Sequence, residues 1–283
     1  MLESLTSEGA RLPDDALNWT SDAIAAVLGQ RRFADLATVV GAPPGVGVEV
    51  GAKLLVERDG STLGTLGSAE LDDAVTGDAR QAMDERGSRV VSYPVPGTAQ
   101  PDGAILVFHE VLEPQPQLLI VGAGHIAVPL AHYGKTLGFE VVVLDDRDKY
   151  ASRERFPDAN RVIAADFGPT LRDFPLTPAT YVVIITRAHT YDEESLRLIL
   201  NKPAAYIGMI GSRRRVQTVL RTLAGEGYDR ERLGAIHAPI GLDIGSETPE
   251  EIALAIIAEV VVVRRGGTGV PLSKQIRPVA IET

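Results

Sequence analysis

The stretch QLLIVGAGHIAVPLAHYGKTLGFEVVVLDD, from Gln117 to Asp146, decides the fold of this chain. An apolar run meets the turn Gly122–Ala127, a helical pattern follows, and a second apolar run from Val141 to Leu144 ends in two aspartates. This order predicts a strand, a glycine turn, a helix and a second strand parallel to the first.

The glycine turn has the residue types that a phosphate site needs. Gly122 permits a tight turn, Gly124 lets a phosphate approach the backbone, and Ala127 is small enough for close packing of helix on sheet. Unsatisfied N–H groups of the first helical turn favour an anion there. Asp145, 23 positions after Gly122, stands where a carboxylate accepts hydrogen bonds from a ribose diol. The predicted ligand-binding residues are Gly122, Ala123, Gly124, His125, Ile126, Asp145 and Asp146. A turn that serves packing alone is the alternative.

Composition excludes several classes of function. The chain has 283 residues and a formal charge of 28 minus 38, or −10, which disfavours an extended nucleic-acid interface. Without cysteine there is no thiolate metal site or thiol nucleophile, and the five histidines fit no metal motif. No apolar run of about 18 residues occurs, and the opening MLESLTSEGARLPDD has no basic start or apolar signal core. We therefore expect a cytoplasmic protein with no metal site and no membrane or nucleic-acid partner.

The first 113 residues predict a small α+β domain. Helical patterns cover Asp14–Arg31 and Glu70–Arg86. Strand patterns occur at Leu36–Val40, Lys53–Glu57, Thr62–Leu66, Val90–Pro94 and Ala104–Val111. Glu113–Pro116 has two prolines and reads as a stiff linker. We place the domain boundary there, which predicts domains over 1–113 and 114–283.

From Gln117 onward strand and helix patterns alternate, which predicts an α/β domain with a doubly wound parallel sheet covered on both faces. Further strands are predicted at Val162–Ala165, Tyr181–Thr186, Ala205–Ile210 and Ala235–Ile240. Further helices are predicted at Tyr191–Leu200, Arg213–Leu223 and Pro249–Arg264. The last of these begins at a capping box, Thr248–Glu251, with proline at the first helical position.

Other strand–helix junctions carry further candidate site residues, since such junctions gather at the carboxyl edge of a doubly wound sheet. The residues expected to close the cleft are Gly208, Gly211, Ser212 and Arg213. Arg213–Arg215 opens a helix against its dipole, a cost that an anion would offset; a solvated basic face is the alternative. Arg187 could reach the same cleft. His189 is a weak candidate for an acid/base residue, with a structural loop histidine as the alternative.

Four separated motifs resemble a known family. They are VGAGHIAVPLA, LDDRDKYASRERFPDA, YIGMIGSRRR and HAPIGLDIGSETPEEIALAIIAEVV. In this order they resemble the carboxyl-terminal Rossmann domain of the xanthine dehydrogenase accessory proteins, the XdhC/CoxI family, across most of residues 117–266. The amino-terminal half is similar to the other domain of that family more loosely, through Val50–Val56 and Gly64–Gly67.

The resemblance implies an accessory role in maturing a molybdenum hydroxylase such as xanthine or carbon monoxide dehydrogenase. Members of the family are understood to bind the molybdenum cofactor, to aid exchange of its oxo ligand for sulfur, and to hand it to the apoenzyme. The phosphate of molybdopterin, or the pyrophosphate of its dinucleotide form, suits a glycine turn. The implied partners are a molybdenum hydroxylase apoenzyme and a sulfurtransferase, and a docking surface favours a homo-oligomer.

One position departs from the family pattern. Where the family usually has a cysteine after glycines, this chain reads Gly67–Asp72 with Glu70 in the place of the cysteine. A carboxylate cannot carry a persulfide or bind soft molybdenum chemistry as a thiolate would. Any sulfur step would therefore belong to a partner, or this chain has diverged to another task. The plain alternative is that Glu70 opens a solvated helix.

Two rival functions remain open from the sequence. The first is an oxidoreductase that uses NAD or NADP, with His189 as acid/base. Asp145 would favour NAD by repelling a 2′-phosphate, although Arg147 nearby weakens that distinction. The second is a nucleotide-sensing regulatory module that changes shape without turnover. The sequence leaves open whether the chain is an enzyme.

Overall fold

The computed structural model describes residues 14–95 and 103–274, with the backbone alone for 14–18 and His189. The chain divides into two compact units, Met1–Pro114 and Gln115–Thr283. The first has an antiparallel sheet and the second a parallel sheet, which confirms the predicted fold class. Across the described ranges, no helix is both long and apolar enough to cross a bilayer.

The amino-terminal unit is a five-stranded antiparallel sheet with a helix on each face. Its elements are α1 Asp14–Gly29, β1 Ala34–Gly41, β2 Lys53–Glu57, β3 Thr62–Thr65, α2 Ala69–Glu85, β4 Arg89–Pro94 and β5 Ala104–Leu112. The strand order is β3-β2-β1-β5-β4. Because side chains alternate along a strand, Leu54 and Val56 pack towards α2 while Leu55 packs towards α1.

A buried chain of hydrogen bonds crosses this first sheet. Nδ1 of His109 lies 2.7 Å from Oδ2 of Asp35, and its Nε2 lies 2.8 Å from the hydroxyl of Tyr93. The Tyr93 hydroxyl donates to Asp78 on α2 at 2.8 Å. Burial, followed by the contact with Asp78, raises the pKa of Tyr93. The chain of contacts links β1, β5, β4 and α2, so it helps to fix how they pack.

The carboxyl-terminal unit alternates strands and helices. Its elements are β6 Gln117–Val121, α3 Ala127–Thr136, β7 Glu140–Asp145, β8 Arg161–Ala164, α4 Phe167–Asp173, β9 Thr180–Ile184, α5 His189–Ile199, β10 Tyr206–Met209, α6 Arg213–Gly225, α7 Arg230–Gly234, α8 Pro249–Arg265 and a 3₁₀ turn at Leu272–Lys274. The strands are parallel in the order β10-β9-β6-β7-β8.

Helices cover both faces of the second sheet, as the alternating pattern predicts. Helices α3 and α8 pack against one face, around Leu118 and Ile120. Helices α4, α5, α6 and α7 pack against the other, around Leu119 and Val121. The central strands β6 and β9 are buried along their whole length, which is why they read as continuous apolar runs.

One predicted strand is wrong. Residues 235–240 run beside β10, but only a single bridge forms there, between Gly208 and His237. His237 donates to Ile207 at 2.9 Å and accepts from Met209 at 3.0 Å. Pro239 has no N–H to extend the ladder, so the segment forms an irregular edge beside β10.

Helix α8 begins as predicted. The Glu251 N–H donates to Oγ1 of Thr248 at 3.2 Å, and the Thr248 N–H donates to Oε2 of Glu251 at 3.0 Å. Pro249 takes the first helical position. The predicted capping box is therefore confirmed. By contrast, the sequence pattern did not reveal α4, because Gly168 and Pro169 in its first turn are typical of loops.

Candidate functional site

The glycine turn lies where the strand order of the second sheet reverses. The chain passes from β6 to β7 and β8 on one side, then returns to β9 and β10 on the other. The turn at residues 122–126 leaves β6 between the carboxyl ends of β7 and β9. Ligands of doubly wound sheets bind at this point, in the crevice outside the strand ends.

Gly122 serves the packing of the turn itself. Its φ is +110°, and a Cβ there would lie 2.5 Å from the carbonyl oxygen of Ile185. Its N–H donates to the carbonyl of Leu144 at 2.7 Å, and the Ile185 N–H donates to Val121 at 2.9 Å. Only glycine fits here, because backbone from the end of β9 occupies the space that a side chain would take.

The next residues of the turn offer donors and open space. A Cβ built on Gly124 would meet no atom within 4 Å. Within the described part of the chain, the N–H groups of Gly124, His125 and Ile126 have no hydrogen-bond acceptor. They stand just before α3, at the positive end of its dipole. Three amides beside an empty approach fit a phosphate group.

Asp145 holds the turn in place. Its side chain is 2% exposed, and Oδ2 accepts the Ala123 N–H at 2.7 Å. Oδ1 accepts the backbone N–H of Arg147 at 3.1 Å and Nε of Arg147 at 2.7 Å, while Nη2 lies 3.0 Å from Oδ2. Both oxygens are thus taken by protein donors. A ribose diol could bind Asp145 only by displacing Arg147. The Ala123 N–H donates to Asp145 and is therefore not available to a ligand.

Two arginines form a basic wall next to the turn. Nη1 of Arg155 donates to the carbonyl of Ala123 at 2.7 Å and to that of Tyr150 at 3.0 Å. The Arg147 guanidinium lies over the Tyr150 ring, 3.7 Å from its centroid. The sequence analysis considered Arg147 only for the choice between NAD and NADP, and it assigned Arg155 no role. Asp145 offsets the charge of Arg147, whereas Arg155 contacts carbonyl oxygens and aromatic rings and adds positive charge beside the turn.

Arg187 and Asp146 meet across the end of β6. The guanidinium contacts both carboxylate oxygens: Nη1 pairs with Oδ1, and Nη2 lies 2.8 Å from Oδ2. Nη2 also donates to the Tyr191 hydroxyl at 3.0 Å. Hydrogen bonding from Arg187 lowers the pKa of the Asp146 carboxyl. Both predicted residues therefore lie at the crevice, but they are bound to each other.

Two side chains cover Gly208 on its Cβ side. A Cβ there would meet Cδ1 of Ile240 at 2.4 Å and the hydroxyl of Tyr206 at 2.6 Å. These side chains fill the space on the Cβ side of Gly208, and its part in closing a ligand cleft stays a prediction. The position needs glycine because Tyr206, two residues earlier on the same face, lies over it.

The junction after β10 is set apart from the glycine turn. Strand β9 separates β10 from β6, so the junction starts about 9–10 Å away, two strand spacings. Gly211 precedes Ser212, which caps α6 by accepting the Arg215 N–H at 3.3 Å, and Arg213 is exposed. Arg215 pairs with the fully buried Asp192. This carboxylate offsets the positive charge of Arg215, so no bound anion is needed for that purpose.

Two further residues from the sequence analysis, His189 and Glu70, lie at the start of helices. His189 begins α5, and its side chain lies outside the described part of the structure, so its acid/base role stays a prediction. Glu70 is an exposed acid in the first turn of α2. There the Ser68 hydroxyl caps the helix by accepting the Leu71 N–H at 3.2 Å. A carboxylate at a helix start interacts favourably with the dipole.

Sequence reasoning missed a cluster beside β10. The Tyr206 hydroxyl donates to Oε2 of Glu259 at 2.5 Å, and the Gly241 N–H donates to the same oxygen at 3.0 Å. The ring of His237 stacks on Tyr206 with centroids 4.5 Å apart. Burial, followed by the contact with Glu259, raises the pKa of Tyr206. The cluster ties the irregular edge segment to α8, and no local pattern could have predicted it.

Family models match both units of the chain. One, described as the XdhC Rossmann domain, matches residues 118–260, which is half of the chain. The chain belongs to the XdhC and CoxI family. A second model, described as the XdhC and CoxI family, matches residues 28–94. The resemblance predicted from the four motifs is confirmed.

Relatives of this XdhC and CoxI family member include two curated proteins. Uncharacterized protein YqeB of Escherichia coli (strain K12) is 32% identical over 234 residues, which are 80% of this chain and 43% of that protein. A protein of Bacillus subtilis (strain 168), described as a probable xanthine dehydrogenase subunit, is 33% identical over 159 residues, 56% of this chain and 46% of that protein. The chain spans less than half the length of either relative.

A solved structure shares the fold of this family member. It is a crystal structure described as a xanthine dehydrogenase from Bacillus halodurans, with a TM-score of 0.50 and 22% sequence identity. The alignment covers 90% of this chain and 99% of that chain. At this identity the likeness concerns the fold alone.

Asp145 offers a direct test of how the turn is held. We expect Asp145→Ala to destabilise the carboxyl-terminal unit by about 3 kcal/mol, because it leaves a buried N–H of Ala123 and the Arg147 guanidinium without their acceptor. Asp148→Ala removes an exposed carboxylate from the same loop and should change stability by less than about 0.5 kcal/mol. Denaturant unfolding followed by circular dichroism measures both. Equal stabilities of the two variants would contradict this role.

Proposed function

We propose that the chain binds the molybdenum cofactor through its phosphate and serves the maturation of a molybdenum hydroxylase. One observation carries the proposal: the N–H groups of Gly124, His125 and Ile126 have no acceptor among the described residues, at the point where the strand order reverses, and a Cβ added at Gly124 would meet no atom within 4 Å. Membership of the XdhC and CoxI family supports it. So does the Bacillus subtilis relative, whose description names xanthine dehydrogenase.

Each group at the turn has a distinct part in this proposal. The N–H groups of Gly124, His125 and Ile126 donate to phosphate oxygens, and charge-assisted hydrogen bonds of this kind are the strong ones. Arg155, which donates to protein carbonyl oxygens, adds positive charge near the phosphate, and Arg147 holds the Asp145 carboxylate. The cofactor, when bound, supplies the molybdenum centre that the hydroxylase uses in catalysis. The chain itself binds and orients the cofactor.

The partners belong to the same proposal. A molybdenum hydroxylase apoenzyme receives the cofactor, and a sulfurtransferase provides sulfur, because the chain has no cysteine to carry a persulfide. Glu70, in the place of the family cysteine, acts as an acid at a helix start. A homo-oligomer would present one cofactor site per chain to the client.

Cofactor retention tests the proposal. The purified chain is mixed without oxygen with molybdopterin or with its cytosine dinucleotide form, and then passed through a desalting column. We expect at least one form to be retained at about one per chain, as measured by pterin fluorescence after oxidation. Loss of both forms would overturn the proposal. Submillimolar binding of NAD or NADP, followed by protein fluorescence, would favour the oxidoreductase instead.

A further inference from the structure

The ion pair between Asp146 and Arg187 lies across the crevice. Asp146 follows β7 and Arg187 follows β9, and these two strands flank β6 on its two sides. The contact between the side chains therefore passes over the carboxyl end of β6, where the glycine turn begins. We call this ion pair the strap.

Several contacts hold the strap closed. Arg187 binds Asp146 through two nitrogens, donates to the Tyr191 hydroxyl at 3.0 Å, and lies 4.7 Å from the centroid of the Tyr191 ring. Nε of Arg147 lies 3.8 Å from the same carboxylate. The side chains are 36% exposed for Arg187 and 16% exposed for Asp146. The strap is thus partly exposed to solvent and has a bidentate geometry.

The two carboxylates that a dinucleotide would use already bind donors of the protein. Dinucleotides bind across the crevice at the reversal of strand order, with an acidic residue after the second strand on the ribose. Both oxygens of Asp145 accept protein donors, and both oxygens of Asp146 contact Arg187. Every carboxylate oxygen of Asp145 and Asp146 is therefore already in contact with a protein donor. The amides of Gly124, His125 and Ile126, by contrast, have no acceptor among the described residues.

We propose that the strap restricts this site to ligands with one terminal phosphate, the form that molybdopterin itself has, and disfavours the dinucleotide form. The inference rests on the proposed function and specifies its ligand. A single phosphate reaches the amides at Gly124 without passing between Asp146 and Arg187. A dinucleotide has to separate the two charged groups and lose their bidentate contact.

Equilibrium binding of the two forms tests the strap. Purified full-length chain is titrated without oxygen with molybdopterin and with molybdopterin cytosine dinucleotide. We expect wild-type protein to bind the dinucleotide at least about tenfold more weakly, a difference of about 1.4 kcal/mol. Asp146→Ala removes the strap and should close most of that gap by strengthening dinucleotide binding. Asp148→Ala, which removes an exposed acid from the same loop, should preserve the gap.

The outcomes separate this inference from the proposed function. Equal or tighter binding of the dinucleotide by wild-type protein overturns the strap while phosphate binding stands. A gap that persists in Asp146→Ala overturns it as well. If neither ligand binds wild-type protein, the proposed function fails and the inference fails with it. Asp146→Asn keeps the side-chain volume and serves as the test variant if the alanine variant does not fold, as checked by circular dichroism.

Discussion

Replacing Gly124 with leucine is expected to weaken molybdopterin binding by about 100-fold or more while the fold survives. A side chain at this position enters space that no protein atom occupies within 4 Å, so the native structure has room for it. The same side chain fills the approach to the amides of Gly124, His125 and Ile126. Hydrogen bonds to a charged group contribute about 1.5–3 kcal/mol each, so losing two of them accounts for about two powers of ten.

Titration calorimetry and thermal denaturation of the same preparation measure both effects. The matched control is Gly225→Leu at the end of α6, where a Cβ also meets nothing within 4 Å. That variant should bind like wild type, and both leucine variants should melt close to the wild-type Tm. If Gly124→Leu binds molybdopterin unchanged, the amides of this turn do not hold the phosphate.

Replacing Gly122 with alanine should have the opposite result and disrupt the carboxyl-terminal unit. The added Cβ would lie 2.5 Å from the carbonyl oxygen and 2.8 Å from the carbonyl carbon of Ile185. Backbone at the end of β9 cannot yield as a flexible side chain would. Alanine is also strained at the φ of +110°. Together with the clash, this strain should lower the free energy of unfolding by about 3 kcal/mol or more. The Tm of this unit should fall by at least about 6 °C.

The variant Gly138→Ala separates the cost of the positive φ at Gly122 from the cost of the clash with Ile185. Gly138 also has a positive φ, +82°, but a Cβ there meets nothing within 4 Å. This control should cost only about 1–2 kcal/mol, the penalty of the left-handed conformation alone. Thermal denaturation followed by circular dichroism compares the two variants. Equal losses would show that the contact with Ile185 contributes nothing.

These two expectations assign different tasks to the glycines of one motif. Gly122 lets three strand ends converge, because its N–H reaches Leu144 and its missing side chain admits Ile185. Gly124 leaves the amides accessible. The sequence predicts a tight turn at Gly122 and a close approach of phosphate at Gly124. It does not show that a side chain is excluded at Gly122, because the atoms that exclude it belong to backbone after β9, more than 60 residues further along the chain.

The sequence by itself determined the features that depend on neighbouring residues. The apolar runs of β6 and β9 predict buried parallel strands, and Thr248–Glu251 predicts the start of α8. The alternation of strand and helix predicts the doubly wound sheet. All of these follow from periodicity and capping, which involve residues a few positions apart. The segment 235–240 shows the limit of such patterns, because an apolar run at a sheet edge forms a ladder only where backbone donors continue it.

Only the tertiary structure decided which groups at the site are free. Asp145 reads in sequence as a ribose acceptor, yet its oxygens accept the Ala123 amide and Arg147. Asp146 meets Arg187, 41 positions away, and Gly208 is covered by Ile240 and Tyr206. Hydrogen-bond partners of a carboxylate are set by how distant segments fold together, because a buried acceptor binds whichever donors the fold brings near it. Which donors reach a buried carboxylate therefore cannot be read from the residues next to it in the sequence.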